Sequence, residues 1–186
     1  MKKTFFLALL GLVLYSGLAV AQSTELPIDA ETKKITYSEV VQTNPNFSHT
    51  TIYDRALSWA MNNKYKITKM DKHNGIIMCE GSIVITYPGP SVGKNDTGFL
   101  KFNVTITCKN GRYQYVMTDF HHEGTKGKGN GGVLELPKAA CGKYVLPDNG
   151  WAKIKKDTPR LMEMTIADLK VSIDPQAPAP AKKENW

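Results

Sequence analysis

The alternation of apolar and polar residues predicts strands and helices in a mixed order. Runs of β-branched and aromatic residues with apolar side chains at every second position indicate strands, and apolar residues three and four positions apart indicate helices. In chain order, the patterns predict a strand at 33–42, a helix from Thr51 to about residue 62, strands at 64–71, 76–87, 99–109 and 112–120, and a helix after Asp157.

Local signals place the starts of both predicted helices. Thr51, followed by Asp54, resembles a capping pattern, because the hydroxyl can accept from a free N–H while the carboxylate favours the positive end of the helix dipole. Thr158 as N-cap with Pro159 in the first helical position predicts the start of the second helix. Residues 121–150 are predicted to be irregular, with a brief contact to the sheet at "GGVLELPK".

The pair Asn110-Gly111 predicts a tight hairpin, because both residues tolerate the positive φ that a two-residue turn requires. Setting Lys109 opposite Arg112 fixes the register, so that Cys108, Ile106 and Val104 face Tyr113, Tyr115 and Met117 on one apolar face. We call the other, more polar face the open face. It is predicted to carry Asn103, Thr105, Thr107, Gln114, Val116, Thr118 and Phe120.

These elements predict an α+β domain in the order β-α-β-β-β-β-α. A single antiparallel sheet of about five strands, curved by its twist and with both helices packed on its apolar face, buries every apolar pattern in two layers.

Several stretches resemble a family of secreted bacterial domains of unknown function with a TBP-like fold. They are "ITYSEVV", the helix containing Tyr53, Ala56 and Trp59, the spacing from Ile76 to Gly81, and "KNGRYQYVMTDF". The resemblance covers residues 31–173 and implies the fold and an exported, Gram-negative setting. It brings no catalytic residues. TATA-binding protein inserts phenylalanines from its sheet into DNA, whereas threonine, asparagine and glutamine dominate the open face here, so nucleic acid is not predicted as a partner.

The chain ends predict export. Met1-Lys2-Lys3, the apolar run 5–20 and Ala19-Val20-Ala21 are typical of a cleaved signal peptide at 1–21. No cysteine stands at the cleavage point, so we expect a periplasmic or secreted chain without a membrane anchor. The remaining chain divides into a lead-in at 22–30, one domain at 31–173 and a disordered tail, rich in proline and alanine, at 174–186.

Positive charge concentrates in one stretch. After signal cleavage, 22 basic residues face 17 acidic ones, a net charge of +5, and residues 126–157 hold seven lysines against three acidic residues. We call residues 126–156 the basic segment and expect an anionic partner to meet it first. The candidate binding residues are Lys126, Lys128, Lys143, Lys153, Lys155 and Lys156.

Three cysteines remain after cleavage in a compartment that permits disulfides, and their spacing does not suit zinc. Because the number is odd, at least one thiol stays free or pairs between chains. If a disulfide forms, we expect Cys141 to pair with Cys108 or Cys79; otherwise Cys79 and Cys108 are small core residues.

The stretch "DFHHEGTKGKGNGG" (119–132) holds the strongest candidate chemistry. Asp119, His121 and Glu123 could form a metal or acid-base site. However, His121 and His122 point to opposite faces of a regular strand, so they cannot easily bind one metal ion. The spacing of the other histidines and acidic residues does not indicate a third ligand. Both histidines are therefore expected at the surface. The glycines lack the strand and helix context of a phosphate-binding loop, which leaves a flexible basic loop. We therefore predict no bound metal or other cofactor.

Two functional hypotheses remain. The leading one is a non-catalytic module that binds an envelope protein or polymer through the open face or the basic segment. The alternative is a metal-dependent or acid-base hydrolase centred on Asp119, His121 and Glu123.

Overall fold

The computed structural model describes residues 25–125 and 128–176. Within them the chain forms β1 (Tyr37–Gln42), α1 (His49–Asn62), β2 (Lys66–Asp71), β3 (Ile76–Pro88), β4 (Asn95–Lys109), β5 (Arg112–Gly124), β6 (Gly132–Val133) and α2 (Asp148–Ile173). The strands form one antiparallel sheet in the order β1-β5-β4-β3-β2, and β6 extends the β1 side by pairing with β5. The predicted α+β fold is confirmed, with six strands rather than five. The signal peptide and residues 177–186 of the tail lie outside the described residues.

Both helices cover one face of the sheet. Inward-facing residues of β3, β4 and β5 form the core with the apolar faces of the helices. The largest enclosed side chains include Trp59 of α1, Phe102 of β4 and Tyr113 of β5. On the opposite face, the open face, residues 25–125 and 128–176 place no helix.

The helix starts differ from their predictions. Ser48, not Thr51, is the N-cap of α1, and its hydroxyl accepts from the backbone N–H of Thr51 at 3.1 Å. The second helix begins at Asp148 rather than at Thr158, and Pro159 lies inside it. Thr158 is buried and donates to the carbonyl of Ile154 at 2.8 Å. The predicted start signal was therefore wrong, because packing continues the helix through a proline that normally ends one.

The register of the β4–β5 hairpin is confirmed from Lys109 opposite Arg112 to Val104 opposite Met117. Its turn conformation differs from the prediction, because only Gly111 of the turn pair takes a positive φ, at 69°. The tip is tied to the start of α1: the side-chain oxygen of Asn110 accepts from His49 N–H at 2.8 Å, and Gly111 N–H donates to the carbonyl of Phe47 at 2.9 Å.

Candidate functional site

A bulge in β5 decides which of its side chains face the helices. The pairs on either side of it are Asn103 with Thr118 and Lys101 with His121. Two residues of β5, Asp119 and Phe120, thus lie opposite Phe102 of β4, which is the pattern of a β-bulge. Asp119 takes a φ of 58°, a left-handed conformation that is uncommon outside glycine. Before Asp119 the odd-numbered residues of β5 face the core, and after it the even-numbered residues do.

Phe120 is the first residue moved by the bulge. It was predicted on the open face, and this prediction was wrong: Phe120 is fully buried, and its ring stacks on Phe102 with 5.3 Å between centroids. Strict alternation from Tyr113 would have placed it outside. The extra residue at Asp119 reverses that assignment.

His122 is the second residue moved, and it is enclosed in the core with 0% exposure. Its Nδ1 accepts from Gly131 N–H at 3.1 Å, and the rings of Tyr87 and Trp151 stand edge-on with centroids 4.9 and 6.4 Å away. Burial lowers the pKa of His122 from 6.5 to about 4, so the ring is neutral at pH 7. Nε2 has no hydrogen-bond partner in the described part of the chain. The expectation of a surface histidine was wrong for His122.

Asp119, His121 and Glu123 do lie together, in a row of ion pairs. Asp119 binds Lys34 at 2.5 Å and accepts from the Asn103 amide at 3.0 Å. Glu123 pairs with Lys101 and lies 3.5 Å from Nε2 of His121. The hydrogen bonds from Lys34 and Lys101 hold the pKa values of the Asp119 and Glu123 carboxyls below their usual range.

This arrangement neutralises the acids with lysines and leaves them as poor general bases, because a low pKa disfavours proton uptake at pH 7. Across residues 25–125 and 128–176, no group of three or more histidine, cysteine, aspartate or glutamate side chains is placed to hold a metal ion.

The other predicted open-face residues face away from the helices. Asn103 and Gln114 are exposed and the remaining four are partly exposed, namely Thr105, Thr107, Val116 and Thr118. Strand β3 adds apolar side chains to this face, because Met78 pairs with Thr105 and Val84 with Phe99. Val84 is 60% exposed and Val40 of β1 is 52% exposed. The prediction rests on the hairpin strands β4 and β5 alone, so it misses the exposed apolar side chains of β1 and β3.

The lysines of the basic segment do not form one patch on the open face. Lys128 pairs with Asp96 at 2.7 Å and Lys153 with Asp157 at 2.5 Å. Lys155 donates to the carbonyl of Leu136 at 2.5 Å, and burial lowers its pKa. Lys143 and Lys156 are exposed, Lys143 in the loop before α2 and Lys156 on that helix, while Lys126 lies outside the described residues.

Two glycines of this segment are packed against the core. A side chain at Gly131 would meet the Trp151 ring at 2.5 Å, and one at Gly129 would meet Cβ of Cys141 at 2.8 Å. The stretch around them therefore lies against the core, not in the flexible loop that its composition predicts, whereas residues 142–145 are exposed. Trp151, four residues into α2, anchors it by donating to the carbonyl of Leu136 at 3.1 Å.

The structure places Cys141 far from Cys108, one of the two partners considered for a disulfide. All three cysteines are free. Cys108 lies at the hairpin end of β4, whereas Cys141 contacts Gly129, beside the far end of that strand. Ten strand residues separate Cys108 from that end, about 33 Å at the usual rise, and a disulfide needs Cα atoms within about 7 Å. Burial raises the pKa of the Cys79 and Cys108 thiols to about 12, which makes them inert core residues.

Comparison with known proteins supports the fold. The family model described as "Domain of unknown function (DUF4468) with TBP-like fold" matches residues 37–123. The crystal structure of a DUF4468 family protein from Bacteroides ovatus is 22% identical in sequence, with a TM-score of 0.58. The superposition covers 80% of this chain and 90% of the Bacteroides ovatus chain. A TBP-like protein from Parabacteroides distasonis has 18% identity and the same TM-score, covering 80% and 96%.

No curated protein matches the chain. Within the described ranges, neither helix has the length and hydropathy needed to cross a membrane.

Proposed function

We propose that the chain, whose residues 37–123 match the DUF4468 family model of a domain of unknown function with a TBP-like fold, is an exported, non-catalytic module that binds a protein partner through the open face. The observation that carries this proposal is the composition of that face. Partly exposed apolar side chains lie among hydroxyl and amide groups, and most of its charges are already paired.

A protein partner suits this mixture best. Protein interfaces combine an apolar centre with a polar rim and are depleted in unpaired charge at the centre. Val116 of β5 and Met78 of β3 flank Thr105 in one row across the sheet, which places apolar contacts at the middle of the face. Ion pairs such as Lys66–Glu80 and Lys101–Glu123 lie farther along the strands.

Nucleic acid fits the face poorly. Sheets that bind single-stranded nucleic acid stack bases on exposed aromatic rings, and Phe99 is the one phenylalanine, tyrosine or tryptophan at the outward positions of the described strands. Lys66 and Lys101 on the same face already pair with Glu80 and Glu123, so they are not free to bind phosphate.

The proposed setting is the periplasm or the exterior of the cell. Its support is the sequence of residues 1–21, in which two lysines precede an apolar run and a small-x-small cleavage motif. We propose that the mature chain begins at Gln22.

The test is a matched pair of charge substitutions in the mature chain. Thr105→Arg places a cation in the centre of the open face, and Met164→Arg places one on the exposed side of α2, where Met164 is 59% exposed. Each variant is checked by circular dichroism, immobilised and mixed with envelope extract from the producing cells, and the retained proteins are quantified by mass spectrometry.

We expect a discrete protein that the unsubstituted chain and Met164→Arg retain equally and that Thr105→Arg retains at least about tenfold less, since burying an unpaired charge at an interface costs well over 1.4 kcal/mol. The same protein, once purified, should reproduce the difference in a binary binding assay. Equal retention by both variants would contradict the proposal.

A further inference from the structure

Two unpaired cations stand side by side at the hairpin end of the open face. Lys109 ends β4 and Arg112 begins β5, and the register places them directly opposite each other. Both side chains are exposed. Like charges at directly opposed positions of an antiparallel pair repel each other, so an uncompensated pair of cations here needs a reason.

The other cations of this face are compensated. Four lysines of this face each lie within 4 Å of a carboxylate: Lys34 with Asp119, Lys66 with Glu80, Lys69 with Asp71, and Lys101 with Glu123. In the described chain, Lys109 and Arg112 have no such partner. The carboxylates of the open face are thus paired with these four lysines, and its unpaired positive charge lies at the hairpin end, on Lys109 and Arg112.

The two cations border a hollow in the sheet surface. Its cavity volume is about 310 Å³, and its lining includes Val40, Thr107 and Gln114 beside Lys109 and Arg112. This volume is near the lower limit of ligand pockets and accommodates one or two side chains. An arginine fork binds a carboxylate through two parallel hydrogen bonds, Gln114 and Thr107 add neutral donors, and Val40 adds an apolar wall.

The site is held in place before any ligand arrives. The turn between the two cations is tied to residues 43–49 by the Asn110–His49 and Gly111–Phe47 hydrogen bonds and by a third from Thr43 N–H to the carbonyl of Gly111 at 2.9 Å. Because the backbone that carries the two cations is already fixed, binding restricts only their side chains.

We propose that this hollow binds the carboxylate of a glutamate or aspartate in an extended segment of the protein partner. The proposal rests on the open face being the binding surface. The carboxylate lies between Lys109 and Arg112, and the adjoining apolar part of the segment contacts Val40. Because Val40 belongs to the edge strand β1, an extended chain reaches the hollow from the side of the sheet.

The experiment is an NMR titration of the isotope-labelled mature chain with three probes. They are the blocked peptide acetyl-Val-Thr-Glu-Val-Thr-amide, its counterpart with glutamine in place of glutamate, and inorganic phosphate. The variants are Lys109→Gln/Arg112→Gln and, as a matched control, Lys66→Gln, which removes a paired lysine from the same face.

We expect the glutamate peptide to shift the amide signals of residues 109, 112 and 114. Its affinity should fall at least about tenfold with the glutamine peptide and in the double variant, since each loses a charge-assisted hydrogen bond, and should be unchanged in Lys66→Gln.

Two outcomes overturn the proposal: signals that move no more with the glutamate peptide than with its glutamine counterpart, or phosphate binding as tightly as the glutamate peptide, which would indicate a simple anion site. In either case a loss of partner binding confined to Thr105→Arg would leave the open face as the binding surface. Only the assignment of an acidic segment would then fail.

Discussion

The imidazole of His122 on β5 occupies the space beside Gly98 on β4, where a side chain at residue 98 would overlap its Nε2. The two residues lie on adjacent strands, two positions out of register, since Gly98 pairs with Gly124 and His122 pairs with Leu100. The missing side chain of one residue thus makes room for the ring of the other. This fit closes the core at the end of the sheet where β6 and the start of α2 meet β5.

Gly98→Ala should therefore destabilise the protein. Overpacking a core costs about 1–3 kcal/mol, and the enclosed imidazole has little room to yield. In the background of His122→Ala, where the ring is gone, the same substitution should cost less, and the remaining cost comes from the backbone carbonyl oxygen of Glu123, which a side chain at residue 98 would meet at 2.7 Å. Urea denaturation of the four proteins in this double-mutant cycle measures the coupling. Additive effects of the two substitutions would show that the residues do not compete for this space.

Stability should depend on pH through His122. Its pKa is about 4 in the folded protein and 6.5 when unperturbed, so the unfolded chain binds the proton more readily. The contribution is complete above pH 6.5 and is lost as pH falls from 6.5 to about 4. At about 1.4 kcal/mol per pKa unit, the loss totals about 3 kcal/mol.

Comparison with His122→Leu isolates this contribution. The free energy of unfolding of the variant should fall less steeply between pH 6.5 and 4, whatever its stability at pH 7. Parallel curves for the two proteins would mean that His122 does not carry the dependence.

The left-handed backbone of Asp119 predicts an unusual ranking of substitutions. Asp119→Gly and Asp119→Val both remove the contacts with Lys34 and Asn103, but only glycine accepts a φ of 58° without strain. We expect the valine variant to be less stable than the glycine variant by about 1–2 kcal/mol in chemical denaturation. At a regular strand position valine would be the more stable of the two, so that order would contradict the bulge.

The hairpin shows which features could be predicted from the sequence. Asn110-Gly111 sets the register of seven residues on each side, from Lys109 opposite Arg112 to Asn103 opposite Thr118, because alternation propagates from the turn, and the apolar face followed directly. The prediction holds only as far along β5 as inward- and outward-facing residues alternate without interruption. Phe120 and His122 were assigned to the wrong environment because the extra residue at Asp119 leaves no compositional mark: aspartate is common in strand ends and turns alike.

The start of α2 could not be predicted for a different reason. Thr158-Pro159 is a strong local start signal, yet the helix begins ten residues earlier, where Trp151 and Ile154 pack into the core. Tertiary burial of that first stretch outweighs the local cost of a proline in a helix interior, which amounts to about 3 kcal/mol. The free energy gained by burying Trp151 and Ile154 depends on residues that are distant in the sequence, so a local motif cannot predict whether it exceeds the cost of the proline.

Lys109→Glu should raise stability while removing the proposed carboxylate site. It replaces a like-charged pair opposite Arg112 with an ion pair, which contributes about 0.2–1 kcal/mol in a sheet. The gain should shrink in about 1 M salt. Lys66→Glu, which faces Glu80, is the matched control and should lower stability under the same conditions. A Lys109→Glu variant less stable than the parent at low salt would show that the two cations do not repel each other.

The central claim is that the open face contacts a protein partner, and site-specific photo-crosslinking in the producing cells tests it most directly. A photoreactive phenylalanine analogue is placed at Thr105 or Val116 on the open face, or at Met164 on α2 as the control. We expect both open-face positions to give one shared crosslinked product of defined mass and Met164 to give none of it. A product that forms from Met164 and from neither Thr105 nor Val116 would contradict the account.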